Sequence, residues 1–199
     1  MPRILILATR NAGKIREIAA ILAPLGLEIR PVAEYSDVPD VEETGATFDQ
    51  NARLKALAVA AATGAWALAD DSGIEVDALG GRPGVRSARY AGEPSDDAAN
   101  NRKLIEELRG VMPERRTARY RAVIAVADPA SVLCTAAGTC EGIIQDEPRG
   151  EGGFGYDPHF LLPDRGLTMA ELPAEEKNRI SHRGKALLAL LDRLQSLVR

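Results

Sequence analysis

Residues 8–14 read Ala8-Thr9-Arg10-Asn11-Ala12-Gly13-Lys14 and lead from an aliphatic run into a helical pattern. Free backbone N–H groups and the positive end of a helix dipole make such a passage an anion site, with Gly13 allowing close approach and Lys14 adding charge. It is not a Walker A motif. No glycine stands five residues before Gly13, and Ile15 occupies the place of the Ser or Thr that would bind Mg²⁺. Read alone, the same residues describe an N-capped helix with a surface lysine.

Asp70-Asp71-Ser72-Gly73 sets two carboxylates side by side after the apolar run 66–69. In a confined site such charges repel unless a cation lies with them. Mg²⁺ takes one or two carboxylates, substrate phosphates and water, so Glu43 and Asp71 suffice as the protein's share. The other reading is a solvated turn in which Asp70 caps local N–H groups; side-chain alternation does not choose between the two carboxylates. Residues 152–158, Gly-Gly-Phe-Gly-Tyr-Asp-Pro, place Phe154 and Tyr156 on a flexible backbone that could stack a purine and bond its edge. Equally, it is a glycine-rich turn whose aromatics anchor it to the core. Ser181-His182-Arg183 offers donors suited to an oxygen-rich base edge, or a cap followed by two exposed side chains. Lys55 and Lys177 on their own read as solvated lysines. No Cys–His or Ser–His nucleophilic constellation is present.

The elements that must position these groups follow from periodicity and punctuation. A buried strand over 3–9 leads through the Asn11 cap into a helix with Ile15, Ile18, Ala19 and Leu22 on one face, ended by Pro24 and Gly26 before a strand over 27–32. After a polar loop over 33–45, Thr47 and Gln50 have capping-box spacing, and Phe48, Leu54, Leu57, Ala58 and Ala61 are expected to form the packed face of a second helix. The strand over 66–69 is expected to end at the acidic pair. Ser95, Asp96 and Asp97 open a third helix carrying Leu104, Ile105 and Leu108 inward and closing at Gly110. Segments 120–127 and 131–142 form a hairpin around Asp128-Pro129. A glycine-rich loop over 150–157 leads to an apolar segment at 159–162. A short helix at 169–172 and a charged stretch over 175–179 precede a last helix, whose stripe is Leu187, Leu188, Leu190, Leu191, Leu194 and Leu197. The expectation is one α/β domain over 1–199, built on a mixed sheet.

Composition narrows the partners. With 199 residues, 45% hydrophobic and 27% charged, the chain can bury a substantial core. A net charge of -4 argues against general nucleic-acid binding and for a soluble ligand. The opening apolar stretch, 4–8, is too short for a signal-peptide core, so a cytoplasmic location is expected. The longest apolar region, 56–69, is shorter than the roughly 18 residues a membrane span needs. Cys134 and Cys140 on one straight strand would stand some ~20 Å apart, too far to pair.

The ordered motifs together resemble the inosine triphosphate pyrophosphatase family, which acts on non-standard purine nucleoside triphosphates. The resemblance runs through Thr9 to Lys14, Glu43-Thr44-Gly45-Ala46-Thr47-Phe48 with Asn51-Ala52, and Ala69-Asp70-Asp71-Ser72-Gly73. It continues through Leu79-Gly80-Gly81-Arg82-Pro83-Gly84, Ser87-Ala88-Arg89-Tyr90, residues 152–158 and Ser181-His182-Arg183. It implies hydrolysis of ITP, dITP and XTP to monophosphate and pyrophosphate with Mg²⁺, in a homodimer. It further implies an elongated mixed sheet flanked by helices, with an active-site cleft between two lobes. By this match Thr9, Arg10, Asn11, Ala12, Gly13 and Lys14 grip phosphates, Asp71 is metal ligand and proton acceptor, and Glu43 joins the metal. Ser72, Lys55 and Lys177 would contact the nucleotide, while Phe154, Gly155, Tyr156, Asp157, His182 and Arg183 would hold the base. Arg10 departs from the pattern, since many relatives carry glycine there; it either turns to solvent or adds a phosphate contact. A pyrophosphatase for modified pyrimidine nucleotides would share the phosphate loop and acidic site and differ in its base pocket.

Overall fold

The computed structural model describes residues 3–38 and 40–198. The aliphatic run near the N-terminus forms strand β1 (Ile4–Leu7), which is parallel to both β2 (Glu28–Pro31) and β3 (Trp66–Val76). Parallel neighbours need crossover connections, and helices α1 (Ala12–Leu22) and α2 (Phe48–Thr63) lie in the segments that supply them. Later come α3 (Asp97–Glu107), β4 (Thr117–Ala127), β5 (Val132–Ile144), β6 (Phe160–Leu162) and β7 (Leu167–Thr168), then α4 (Ala174–Ile180) and α5 (His182–Val198). The sheet has seven strands in the order β2-β1-β3-β4-β5-β6-β7, with β5, β6 and β7 antiparallel in turn. It is therefore the mixed sheet expected from the sequence.

Two compact units make up the chain. The first holds residues up to Asp71, Ala122–Gly138 and the segment from His182 onward. Its core joins Leu5 and Leu7 of β1, Ile18 and Leu22 of α1, Leu68 of β3, and Leu187, Leu190 and Leu194 of α5. Each fully buried leucine contributes roughly 1.5–3 kcal/mol. The second unit holds Ser72–Arg121 and Thr139–Ser181, with Ile74, Leu104, Leu108, Tyr120, Tyr156 and Phe160 in its core. Among the described residues no helix is long and apolar enough to cross a membrane, and both cysteines are free thiols.

Several local expectations change. On α2 the buried face is Phe48, Asn51, Ala52, Lys55, Ala56, Val59 and Ala60, whereas Ala58 and Ala61 are exposed and Leu54 and Leu57 only half-buried. Small alanines let this helix sit close to the sheet, and the two polar residues on that face have specific partners. Thr47 caps α2 by accepting from the Gln50 N–H, but Gln50 accepts from Ala46 rather than closing the box on Thr47. Of the three residues expected to open α3, Asp96 is its cap. The charged stretch 175–179 lies inside α4. On α5, Leu188 and Leu197 are 44% and 37% exposed, so the apolar stripe is narrower than six leucines.

The strand bearing the acidic pair does not stop there; β3 runs on to Val76. Gly73 makes this possible. A Cβ at Gly73 would lie 2.3 Å from Ser87 Oγ and 2.4 Å from the Gly84 carbonyl oxygen, where the 3-10 turn Gly84–Arg89 closes on the strand. Because β3 is continuous, consecutive side chains point to opposite faces, and Asp70 and Asp71 enter different surroundings.

Candidate functional site

The first unit forms the capped strand-to-helix junction expected at residues 8–14. Asn11 caps α1, its Oδ1 accepting from the Lys14 N–H at 3.0 Å, and the Asn11 N–H donates to Thr9 Oγ1 at 3.2 Å. Asn11 and Ala12 are exposed, while Gly13 is buried against the core. Arg10 turns away to Asp40, Nε to Oδ1 at 2.7 Å, an exposed pair of small energetic worth. Lys14 is not a surface lysine. Its Nζ lies 2.5 Å from Asp70 Oδ1, and burial, opposed by Asp70 and reinforced by Arg183 and Lys55, pulls its pKa below the usual ammonium value.

Asp70, 1% exposed, is no solvated turn residue. Arg183 donates to both its oxygens, Nε to Oδ2 at 2.9 Å and Nη2 to Oδ1 at 3.3 Å, and reaches Glu17 through Nη1 at 2.6 Å. Burial alone would raise the Asp70 pKa; Arg183 and Lys14 outweigh it and hold the group far below the carboxylate range. Buried Asp70 and Arg183 thus form, with half-buried Lys14 and Glu17, a network of two anions and two cations. Arg183 and His182, placed by resemblance on the base, are both buried at the start of α5. The approach there is close, since a Cβ at Gly138 of β5 would lie 2.1 Å from the His182 carbonyl oxygen.

Asp71, on the opposite face of β3, meets α2. Lys55 Nζ donates to Asp71 Oδ1 at 2.9 Å, to Glu43 Oε1 at 2.6 Å and to the Asp70 carbonyl at 3.0 Å. Asn51 Nδ2 donates to Asp71 Oδ2 at 3.2 Å, while Asn51 Oδ1 accepts from the Gly45 N–H at 2.7 Å. The Asp71 pKa is raised, first by burial and then by Glu43, against the pull of Lys55. Burial pulls Lys55 down, but Asp71 and Glu43 hold it above its ordinary value. Two carboxylates against one ammonium leave one net negative charge at this centre. No group of three or more His, Cys, Asp or Glu that could hold a metal occurs among the described residues. The donor set is nonetheless the one Mg²⁺ uses when phosphate and water complete its shell.

The second unit organises residues 152–158 around Asp157. Its buried carboxylate accepts from Lys177 Nζ at 2.6 Å, the Phe154 N–H at 3.0 Å and Tyr120 Oη at 3.1 Å. The glycines have a steric reason: a Cβ at Gly153 would lie 2.1 Å from Asp157 Oδ2. Tyr156 is buried and donates to the Ser87 carbonyl at 2.8 Å, which makes it the core anchor of the loop. Phe154 remains half-buried, with Lys177 Nζ 4.8 Å from its ring centroid. Lys177 is itself buried. Ser72 follows Asp71 within β3 and is half-buried.

Asn51, quoted among the motif residues but given no role there, contacts both Asp71 and the loop that carries Glu43. The available signal was its i,i+4 spacing from Lys55, which puts both on one helix face. Its amide ties the loop carrying Glu43 to the Asp71 carboxylate. Asn51→Ala is therefore expected to lower turnover about 10–100-fold, the usual cost of losing a group that orients a ligating carboxylate. Steady-state pyrophosphate release measures this; a variant within two-fold of wild type would remove Asn51 from the site.

A mixed sheet with a capped strand-to-helix junction, and with Asp71 and Glu43 bridged by Lys55, defines an α/β protein that gathers cationic and carboxylate groups in its first unit. The chain belongs to the Ham1 family, whose sequence model matches residues 5–193. It is 55% identical over 194 residues to the dITP/XTP pyrophosphatase of Geobacillus kaustophilus (strain HTA426), covering 98% of this chain and 95% of the relative. Against the dITP/XTP pyrophosphatase of Bacillus subtilis (strain 168) identity is 51% over 191 residues, covering 96% of each. A solved HAM1 protein from Coxiella burnetii superposes with a TM-score of 0.86 at 44% identity, covering 98% of this chain and 99% of that one.

Proposed function

We infer that the chain hydrolyses non-standard purine nucleoside triphosphates, ITP, dITP and XTP, to the nucleoside monophosphate and pyrophosphate, clearing deaminated purines from the nucleotide pool. The observation that carries this reading is the Asp71 carboxylate, buried yet held by Asn51 and Lys55 beside Glu43, in the same unit as the anion loop of α1. Relatives at about half identity over nearly their full length carry the dITP/XTP pyrophosphatase name.

In the reaction, a water oxygen bonds to the α-phosphorus as the bond to the bridging oxygen of the β-phosphate breaks. Asp71 accepts the proton from that water; its raised pKa makes it a better base than an exposed aspartate. The N–H groups at the start of α1, with Lys14, bind the phosphate oxygens and neutralise charge on the departing pyrophosphate. Glu43 and Asp71 would hold Mg²⁺, which supplies further charge neutralisation when bound. Lys55 keeps those two carboxylates together. Ser72, Lys177 and the 154–157 loop, through Phe154, contact the nucleotide, and the enzyme works as a homodimer.

The test is pyrophosphate release with Mg²⁺ across ITP, dITP, XTP, ATP, GTP and pyrimidine triphosphates. Donors placed for a 6-oxo group meet an amino group on adenine and are left unpaired, so kcat/KM for ITP is expected to exceed that for ATP by roughly 10⁴-fold. Equal values for ITP and ATP would sink the purine-editing assignment. Preference for a modified pyrimidine would replace it with the related activity.

A further inference from the structure

We infer that Asp97 and Asn101 of α3 determine base selectivity by fixing the backbone of Gly155, and so the placement of Phe154. The inference rests on the reading that residues 154–157 contact the base. Both polar groups of Gly155 are taken by one helix: its N–H donates to Asp97 Oδ2 at 2.7 Å, and its carbonyl accepts from Asn101 Nδ2 at 2.8 Å. Asp97 and Asn101 stand four positions apart on α3, hence on one helix face.

Three further observations bear on this clamp. Gly155 has φ +64, a left-handed conformation outside any helix or strand ladder, so side chains hold what secondary structure does not. Asn101 Oδ1 is buried and has no hydrogen-bond partner among the described residues. Leaving a buried acceptor unsatisfied is unfavourable, and the amide keeps that orientation because its other end holds the loop. Finally, the backbone on the far side of Phe154 is secured separately, with the Phe154 N–H on Asp157 and Lys177 against the ring. Phe154 therefore sits between two fixed points, one on Asp157 and one on α3. An aromatic that presents its face to a base needs placement within about 0.5 Å, and holding both flanks supplies it.

Asp97 and Asn101 are positioning residues, and their loss should appear in discrimination rather than in chemistry alone. The experiment compares ITP and ATP kinetics of Asn101→Ala and Asp97→Ala with wild type, alongside melting temperatures. The ITP-to-ATP ratio of kcat/KM is expected to fall about 10-fold or more in each variant, chiefly through a higher KM for ITP. A ratio unchanged in both folded variants overturns the inference while leaving the purine assignment intact. A wild type that does not distinguish ITP from ATP removes the assignment itself and the inference with it. Asp97 is exposed, so Asp97→Ala carries the comparison even where Asn101→Ala fails to fold.

Discussion

Asp71→Asn is expected to cut pyrophosphate release from ITP by at least about 10³-fold while the protein stays folded, because on the proposed mechanism the substitution removes both the proton acceptor and one of two cation ligands. The fold should tolerate it for an electrostatic reason. The Asp71 pKa is raised by burial and by Glu43, against Lys55, so the folded state disfavours the charged form of this carboxylate. A neutral amide of the same shape relieves that cost, and Lys55 keeps Glu43 as a partner. Circular dichroism and a urea midpoint close to wild type, with turnover lost, is the expected pair of results. Full activity in Asp71→Asn would move the proton acceptor to another group.

How much of this was legible in the sequence differs between residues for physical reasons. The capped strand-to-helix junction at 8–14 was readable because an Asn cap is a local feature, whereas the pairing of Lys14 with Asp70 was not, since it joins residues far apart in the chain. The mixed sheet was readable from aliphatic runs alternating with helical patterns. The division of labour between Asp70 and Asp71 was not, because it depends on β3 continuing through Gly73, and that continuation depends on a close approach by Ser87 and Gly84 from later in the chain. The buried face of α2 was misread for a related reason. Leucines at 54 and 57 suggested the core side, yet tertiary partners for Asn51 and Lys55 turned the alanine side inward. Residues 152–158 allowed two readings, and the structure divides them: Tyr156 and Asp157 build and anchor the loop, whereas Phe154 stays half-buried with Lys177 against its ring.

Arg183→Met is expected to lower the free energy of unfolding at pH 7 by roughly 3–5 kcal/mol, the usual consequence of leaving buried charges uncompensated. Arg183 is 2% exposed and donates to Asp70 and Glu17; methionine fills much of its volume but takes the guanidinium from both carboxylates. The pH dependence gives the same prediction a second handle. Burial pushes the Asp70 pKa up, yet Arg183 and Lys14 hold it well below its ordinary 3.8. A depressed folded-state pKa contributes stability that is fully present above about pH 5 and is lost as pH falls through 3.8 toward the folded value. Without Arg183 that depression shrinks, so the fall in stability between pH 7 and pH 3, read from urea unfolding at both, is expected to be smaller in the variant than in wild type. A variant as stable as wild type at pH 7, altered only in its preference among purine triphosphates, would instead place the guanidinium on the base, as the family resemblance alone implied. The buried geometry favours the first outcome: Arg183 holds Asp70, Asp70 holds Lys14, and Lys14 is thereby kept at the anion loop of α1.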